Sequence, residues 1–115
     1  MNKKQIAFWW ILLLLIMAYP IFGVLDKMPI RLWDESRNAM NAIEMSQNHQ
    51  WFVTYFEGVP DMWNTKPPLL IWLQVFFIKL IGIHPLAIRL PVAIATAILC
   101  IFLFKNLSKI AKDYL

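Results

Sequence analysis

Long uncharged apolar runs alternate along this chain with short charged stretches, and the lengths of the runs set the first expectation. Residues 5–25 hold no charged side chain, and about 20 helical residues suffice to cross a hydrocarbon core of about 30 Å. This run is the first predicted span. A second covers residues 67–83. It is uncharged up to Ile78 and continues past Lys79, whose stem can lie on apolar surface while its ammonium reaches polar surroundings. Its shortness requires a crossing with little tilt. A third, residues 86–104, carries Arg89 near its start and stops at Phe104, ahead of Lys105, Lys109 and Lys112. Gly82, His84 and Pro85 punctuate the turn of a tight helical hairpin between the second and third runs.

Residues 26–66 form a polar loop between the first and second runs. Within it, residues 34–47 favour a helix lying in the membrane surface. Ala39, Met40, Ile43 and, loosely, Met45 recur at helical spacing, while Asn38, Asn41 and Glu44 take other faces. Asp34 is placed as the N-cap of this helix, with Arg37 and Asn38 following three and four positions later on the same side. Trp51, Phe52, Tyr55, Phe56 and Trp63 then supply an aromatic layer suited to a headgroup region, and residues 58–61 read as a turn. Pro67 and Pro68 open the next helix, where their missing N–H groups cost least, and so bring Lys66 to its mouth.

Composition agrees with that pattern. Of 115 residues, 60% are hydrophobic and 16% charged, and the mean hydropathy is +0.57. The expected fold class is therefore an all-α membrane protein: a transmembrane helix, an outer interfacial helix and loop, then a transmembrane helical hairpin. The net charge of +4 is carried largely by residues flanking apolar runs, which marks topology and contact with membrane lipids and predicts no nucleic-acid partner. Lys3 and Lys4 place the N-terminus in the cytoplasm and the loop outside a cell membrane. The loop also holds six of the seven acidic residues. The basic tail after Phe104 runs against this orientation if all three runs cross, and the first span is taken to dominate. A cleaved signal peptide competes for the first run, but apolar residues continue through Tyr19, Pro20 and Phe22 with no small-residue cleavage pattern, which favours an uncleaved anchor.

The single cysteine, Cys100, reads as a core hydrophobe. His49 and His84 lack partners at ligand spacing, so no zinc site is expected. Asn106-Leu107-Ser108 matches a glycosylation sequon that is short and close to the membrane.

The candidate chemistry lies in the loop. If the outer surface carries out group transfer, where no nucleotide-sugar pool is expected, an activated sugar has to arrive on a lipid phosphate carrier. Its transfer needs a base on the acceptor hydroxyl and a cation on the departing phosphate. Asp34 is the candidate base, and Lys66 and Arg37 are candidate phosphate ligands, the lysine as a point charge and the arginine through a bidentate fork. Each also has a structural alternative: Asp34 as a helix cap, Glu35 as a favourable first-turn charge, and Lys66 as a topological anchor. Adjacent carboxylates can signal a divalent metal. Neighbouring helical side chains diverge by about 100°, however, and no further ligands are visible, so no cofactor is expected.

Read in order, Trp33-Asp34-Glu35-Ser36-Arg37-Asn38-Ala39, Trp51-Phe52-Val53, Gly58-Val59-Pro60, Lys66-Pro67-Pro68-Leu69-Leu70-Ile71-Trp72-Leu73 and Arg89-Leu90-Pro91 resemble the N-terminal region of the GT-C glycosyltransferases. The group most similar contains the protein O-mannosyltransferases and the lipid A aminoarabinose transferases, which draw sugars from polyprenyl-phosphate carriers. The resemblance implies an incomplete GT-C fold, a catalytic or acceptor-positioning Asp34 supported by Glu35 and Arg37, and contact of Lys66 with the donor phosphate. The implied partners are a polyprenyl-phosphate-linked sugar and an acceptor glycan, lipid or protein. Thr65 stands where many relatives carry an acidic residue, so neither a metal contact nor an acceptor contact carries over at that position. One acidic loop and two hairpin spans do not enclose a lipid-linked sugar and its acceptor as a preorganised site. The chain alone is therefore expected to be inactive, as a fragment, a truncated gene product or one part of a split enzyme. The alternative expectation is a small non-catalytic multi-pass protein that associates with partner helices.

Overall fold

The computed structural model describes residues 3–113, with side chains for residues 4–110. The chain is mostly helical, and the described residues form four helices and one minimal hairpin: α1 (Lys3–Phe22), α2 (Asp34–Asn48), β1 (Tyr55–Phe56), β2 (Val59–Pro60), α3 (Leu69–Ile81) and α4 (Pro85–Asp113). Two of these helices are long and apolar enough to cross a membrane, over Lys4–Phe22 and Pro85–Ile110.

The chain divides into two compact units, one of residues 1–24 with 92–115 and the other of residues 25–91. In the first, α1 ends where Gly23 donates its N–H to the Tyr19 carbonyl at 2.8 Å. A Cβ on Gly23 would sit 2.6 Å from that carbonyl oxygen, so only glycine closes the helix this tightly. The indole of Trp10 and the ring of Phe104 meet edge to face, 4.7 Å between centroids. The boundary between the units falls after Pro91, which lies inside α4 and has no N–H to give the preceding turn.

In the second unit, α3 supplies Ile71, Val75 and Ile78, which share one face by helical spacing, to a small core with Ala39, Ala42 and Met45 of α2 and Ala87 and Ile88 from the start of α4. The alanines let the helix backbones approach closely. The inward face of α2 thus differs from the predicted one, because Met40 is exposed while Asn41 is fully buried. Burial of Asn41 is tolerated because its amide is fully engaged, as described below.

The second predicted span corresponds to α3. α3 has 13 residues and rises about 20 Å, less than the roughly 30 Å of a hydrocarbon core. Pro67 and Pro68 delay its start, and Gly82 at φ +87° ends it. The third run, predicted to stop at residue 104, instead continues as helix to Asp113, since lysines at its end do not oppose helix formation. The predicted turn at residues 58–61 falls earlier. Glu57 (φ 54°) and Gly58 (φ 77°) make a two-residue reversal, and Val59–Pro60 already pairs with Tyr55–Phe56 in antiparallel register. His84 precedes α4, and its Nδ1 lies 3.0 Å from Asp26 Oδ1. Asn106 is within α4, its amide donating to the Phe102 carbonyl.

Candidate functional site

The acidic start of α2 is assembled by partners distant in sequence. Asp34 is the first helical residue, not the N-cap. That position belongs to Trp33, at φ 76°, with no side-chain cap. Glu35 accepts the N–H of Arg31, in the segment before the helix, at 2.7 Å. Ser36 donates its hydroxyl to the Trp33 carbonyl at 2.9 Å. Adjacent positions on a helix diverge, so Asp34, Glu35 and Arg37 meet three different partners.

Glu35, expected to support catalysis, is paired with Arg89. Its Oε1 accepts Arg89 Nε at 2.5 Å and its Oε2 accepts Arg89 Nη2 at 3.2 Å. The same guanidinium donates to the carbonyls of Leu25, Met28 and Pro29 at 2.7 to 2.9 Å. Arg89 therefore ties the segment before α2 and the first turn of α2 to the start of α4. The hydrogen bond from Arg89 lowers the Glu35 pKa below the ordinary carboxylate value, with the Arg31 N–H adding to the effect against partial desolvation.

Arg37, expected to bind phosphate, is committed elsewhere. Its Nε and Nη2 donate to Asp61 Oδ2 and Oδ1 at 2.9 and 2.6 Å, and its guanidinium carbon lies 5.0 Å from the Phe56 ring centroid. The Asp61 side chain is wholly buried. Arg37, then Asn41 and the Trp63 N–H, hold its pKa down at about 2 against the opposing effect of burial. A carboxylate removed from water in this way requires its counter-charge, which fixes the orientation of Arg37.

Asp61 anchors a polar network that spacing alone did not reveal. Asn41 Nδ2 donates to Asp61 Oδ2 at 3.1 Å and to the Tyr55 carbonyl at 2.7 Å, and Asn41 Oδ1 accepts from Asn64 Nδ2 at 2.9 Å. Trp63 N–H donates to Asp61 Oδ1, and Lys66 N–H to Asn64 Oδ1. The network carries residues 61–66 across α2. The visible signal was a lone Asp and Asn within an aromatic stretch, and nothing in their spacing ties them to Arg37.

The result leaves Asp34 and Lys66 as an exposed acid–base pair. Lys66 Nζ lies 3.5 Å from Asp34 Oδ1, and the two side chains are 68% and 91% exposed. Such a pair contributes little to stability and exchanges partners readily. The structure thus brings Asp34 and Lys66 together and directs Glu35 and Arg37 to other partners. Among the described residues, no three His, Cys, Asp or Glu side chains converge as a metal site would require. Comparison of the chain with protein-family models, curated proteins and solved structures finds no significant match.

Proposed function

We propose that this chain is the N-terminal part of an integral-membrane glycosyltransferase of the GT-C type, using a polyprenyl-phosphate-linked sugar on the outer side of a cell membrane. The observation that carries this reading is the Asp34–Lys66 pair, in which a carboxylate and an ammonium 3.5 Å apart remain exposed while Glu35, Arg37 and Asp61 are bound internally. A base beside a phosphate-binding cation is the minimum equipment for displacing a lipid phosphate. The order of the motifs from Trp33 to Pro91 supports the same reading, as do two helices of membrane-crossing length.

In the proposed reaction Asp34 accepts the proton of an acceptor hydroxyl. The oxygen bonds to the anomeric carbon of the sugar as the bond from that carbon to the carrier phosphate breaks. The polyprenyl phosphate departs with the bonding electron pair, and its charge is met by Lys66. Glu35 and Arg37 act as positioning residues, the first through Arg89 and the second through Asp61.

Binding of a polyprenyl phosphate to the detergent-solubilised chain, followed by native mass spectrometry, tests the cation's role. Lys66→Gln is expected to weaken capture about tenfold, in keeping with loss of one charge-assisted contact, with the uncharged polyprenol as control. Equal capture by both proteins rejects the proposal for Lys66. For Asp34, the expected result is loss of sugar transfer in Asp34→Asn within the complete enzyme, with membrane insertion intact.

A second reading, a non-catalytic protein that pairs with partner helices, draws on α1, where the most apolar stretch has no buried residue.

A further inference from the structure

A groove on the second unit lies apart from the Asp34–Lys66 pair. Met40, Ile43, Glu44 and Gln47 recur along one stripe of α2, and Tyr55 and Gly58 of the hairpin form the opposite wall of an open groove of about 620 Å³. That volume is within the roughly 300–1,000 Å³ of small-molecule sites. The walls are fastened to each other. Asn41 holds the Tyr55 carbonyl at 2.7 Å, and Glu44 Oε2 accepts the Gly58 N–H at 3.1 Å.

The lining selects a ligand chemistry. Beyond the contact with Gly58, Glu44 keeps a second carboxylate oxygen for a donor. Asn48 uses its Oδ1 on the Gln50 N–H, which leaves its Nδ2 as a donor. The side-chain amides of Gln47 and Gln50 have no protein partner among the described residues, and each offers both donors and acceptors. Met40, Ile43 and the Tyr55 ring supply apolar surface between these groups. Vicinal hydroxyls, which donate and accept at once, match paired amides, and the C–H faces of a sugar ring match the apolar surface. A phosphate or carboxylate ligand would meet Glu44 with no cation in the lining, and a purely apolar ligand would make no use of the donors and acceptors that the amides offer.

We propose that this groove binds an uncharged or amino-substituted sugar ring. Naming that sugar as part of the acceptor rests on the transferase reading, whereas the binding itself does not.

The test is saturation-transfer NMR on the full chain in phosphatidylcholine nanodiscs, free of sugar detergents. Lactose, N,N′-diacetylchitobiose and glucosamine serve as probes, and glucuronate as the charged counterpart. Millimolar binding of one or more neutral or amino sugars is expected, with glucuronate weaker. Gln47→Leu, an exposed change on a helix, should weaken binding about tenfold through lost hydrogen bonds and a filled groove. Gln50→Ala, outside any helix, should weaken it about threefold and guards against a folding defect in the first variant. Absence of transfer to every probe at tens of millimolar overturns the proposal, as does binding unchanged by both variants. Loss of sugar binding with polyprenyl-phosphate capture intact removes the groove and leaves the transferase reading. Sugar binding that persists where phosphate capture fails supports the groove and removes that reading.

Discussion

Arg37 and Asp61, 24 residues apart in sequence, meet as guanidinium fork and carboxylate through hydrogen bonds of 2.9 and 2.6 Å. This pairing carries the 61–66 segment over the start of α2 and leaves Lys66 beside Asp34. Removing the buried partner strands Asn41 and Arg37 without their acceptor. Asp61→Ala is expected to destabilise the second unit by about 2 kcal/mol and to weaken polyprenyl-phosphate capture although residue 61 does not touch the ligand. Thermal unfolding followed by circular dichroism, alongside the capture assay, measures both.

The same carboxylate sets an acid sensitivity. Its pKa falls from an ordinary 3.8 to about 2 in the folded chain, so its stabilising contribution is complete above about pH 4 and is lost as pH falls through about 2. Glu35, lowered by Arg89, acts in the same direction. The thermal midpoint should therefore drop between about pH 4 and pH 2, and the drop should be shallower in Asp61→Asn, which has no carboxylate to titrate.

Arg89 donates to Glu35 and to three carbonyls of the segment before α2. Lysine retains the charge but not the planar fork. Arg89→Lys should therefore free residues 25–31, seen as faster amide exchange there and as easier tryptic cleavage at Lys27 and Arg31, with α1 unaffected.

Gln74 is buried, with Nε2 donating to the Ile88 carbonyl at 3.0 Å and Oε1 without a partner among the described residues. An orphaned buried acceptor costs on the order of 1–2 kcal/mol. Gln74→Met keeps the volume and removes that cost, so a higher thermal midpoint is expected, by an amount equivalent to about 1 kcal/mol.

Met62 is 84% exposed and provides a probe of orientation. With Cys100 replaced by serine, Met62→Cys should react with a membrane-impermeant maleimide from the outer side of intact cells. Reaction only after permeabilisation would reverse the proposed topology.

The amino-acid sequence by itself determined the local events. The uncharged run in α1 set a helix of membrane-crossing length, helical recurrence from Asp34 placed α2 to within one residue of its observed end, and Gly82 with Pro85 set the turn before α4. These outcomes depend on neighbours within a few residues, and periodicity records them. The sequence also marked Asp34, Glu35, Arg37 and Lys66 as candidates, but it left their partners open. Tertiary structure decided that Glu35 belongs to Arg89 across 54 residues and Arg37 to Asp61 across 24, because a buried charge takes whichever counter-charge folding brings within reach. Asp34 and Lys66 remained exposed to each other only once those closer demands had been met.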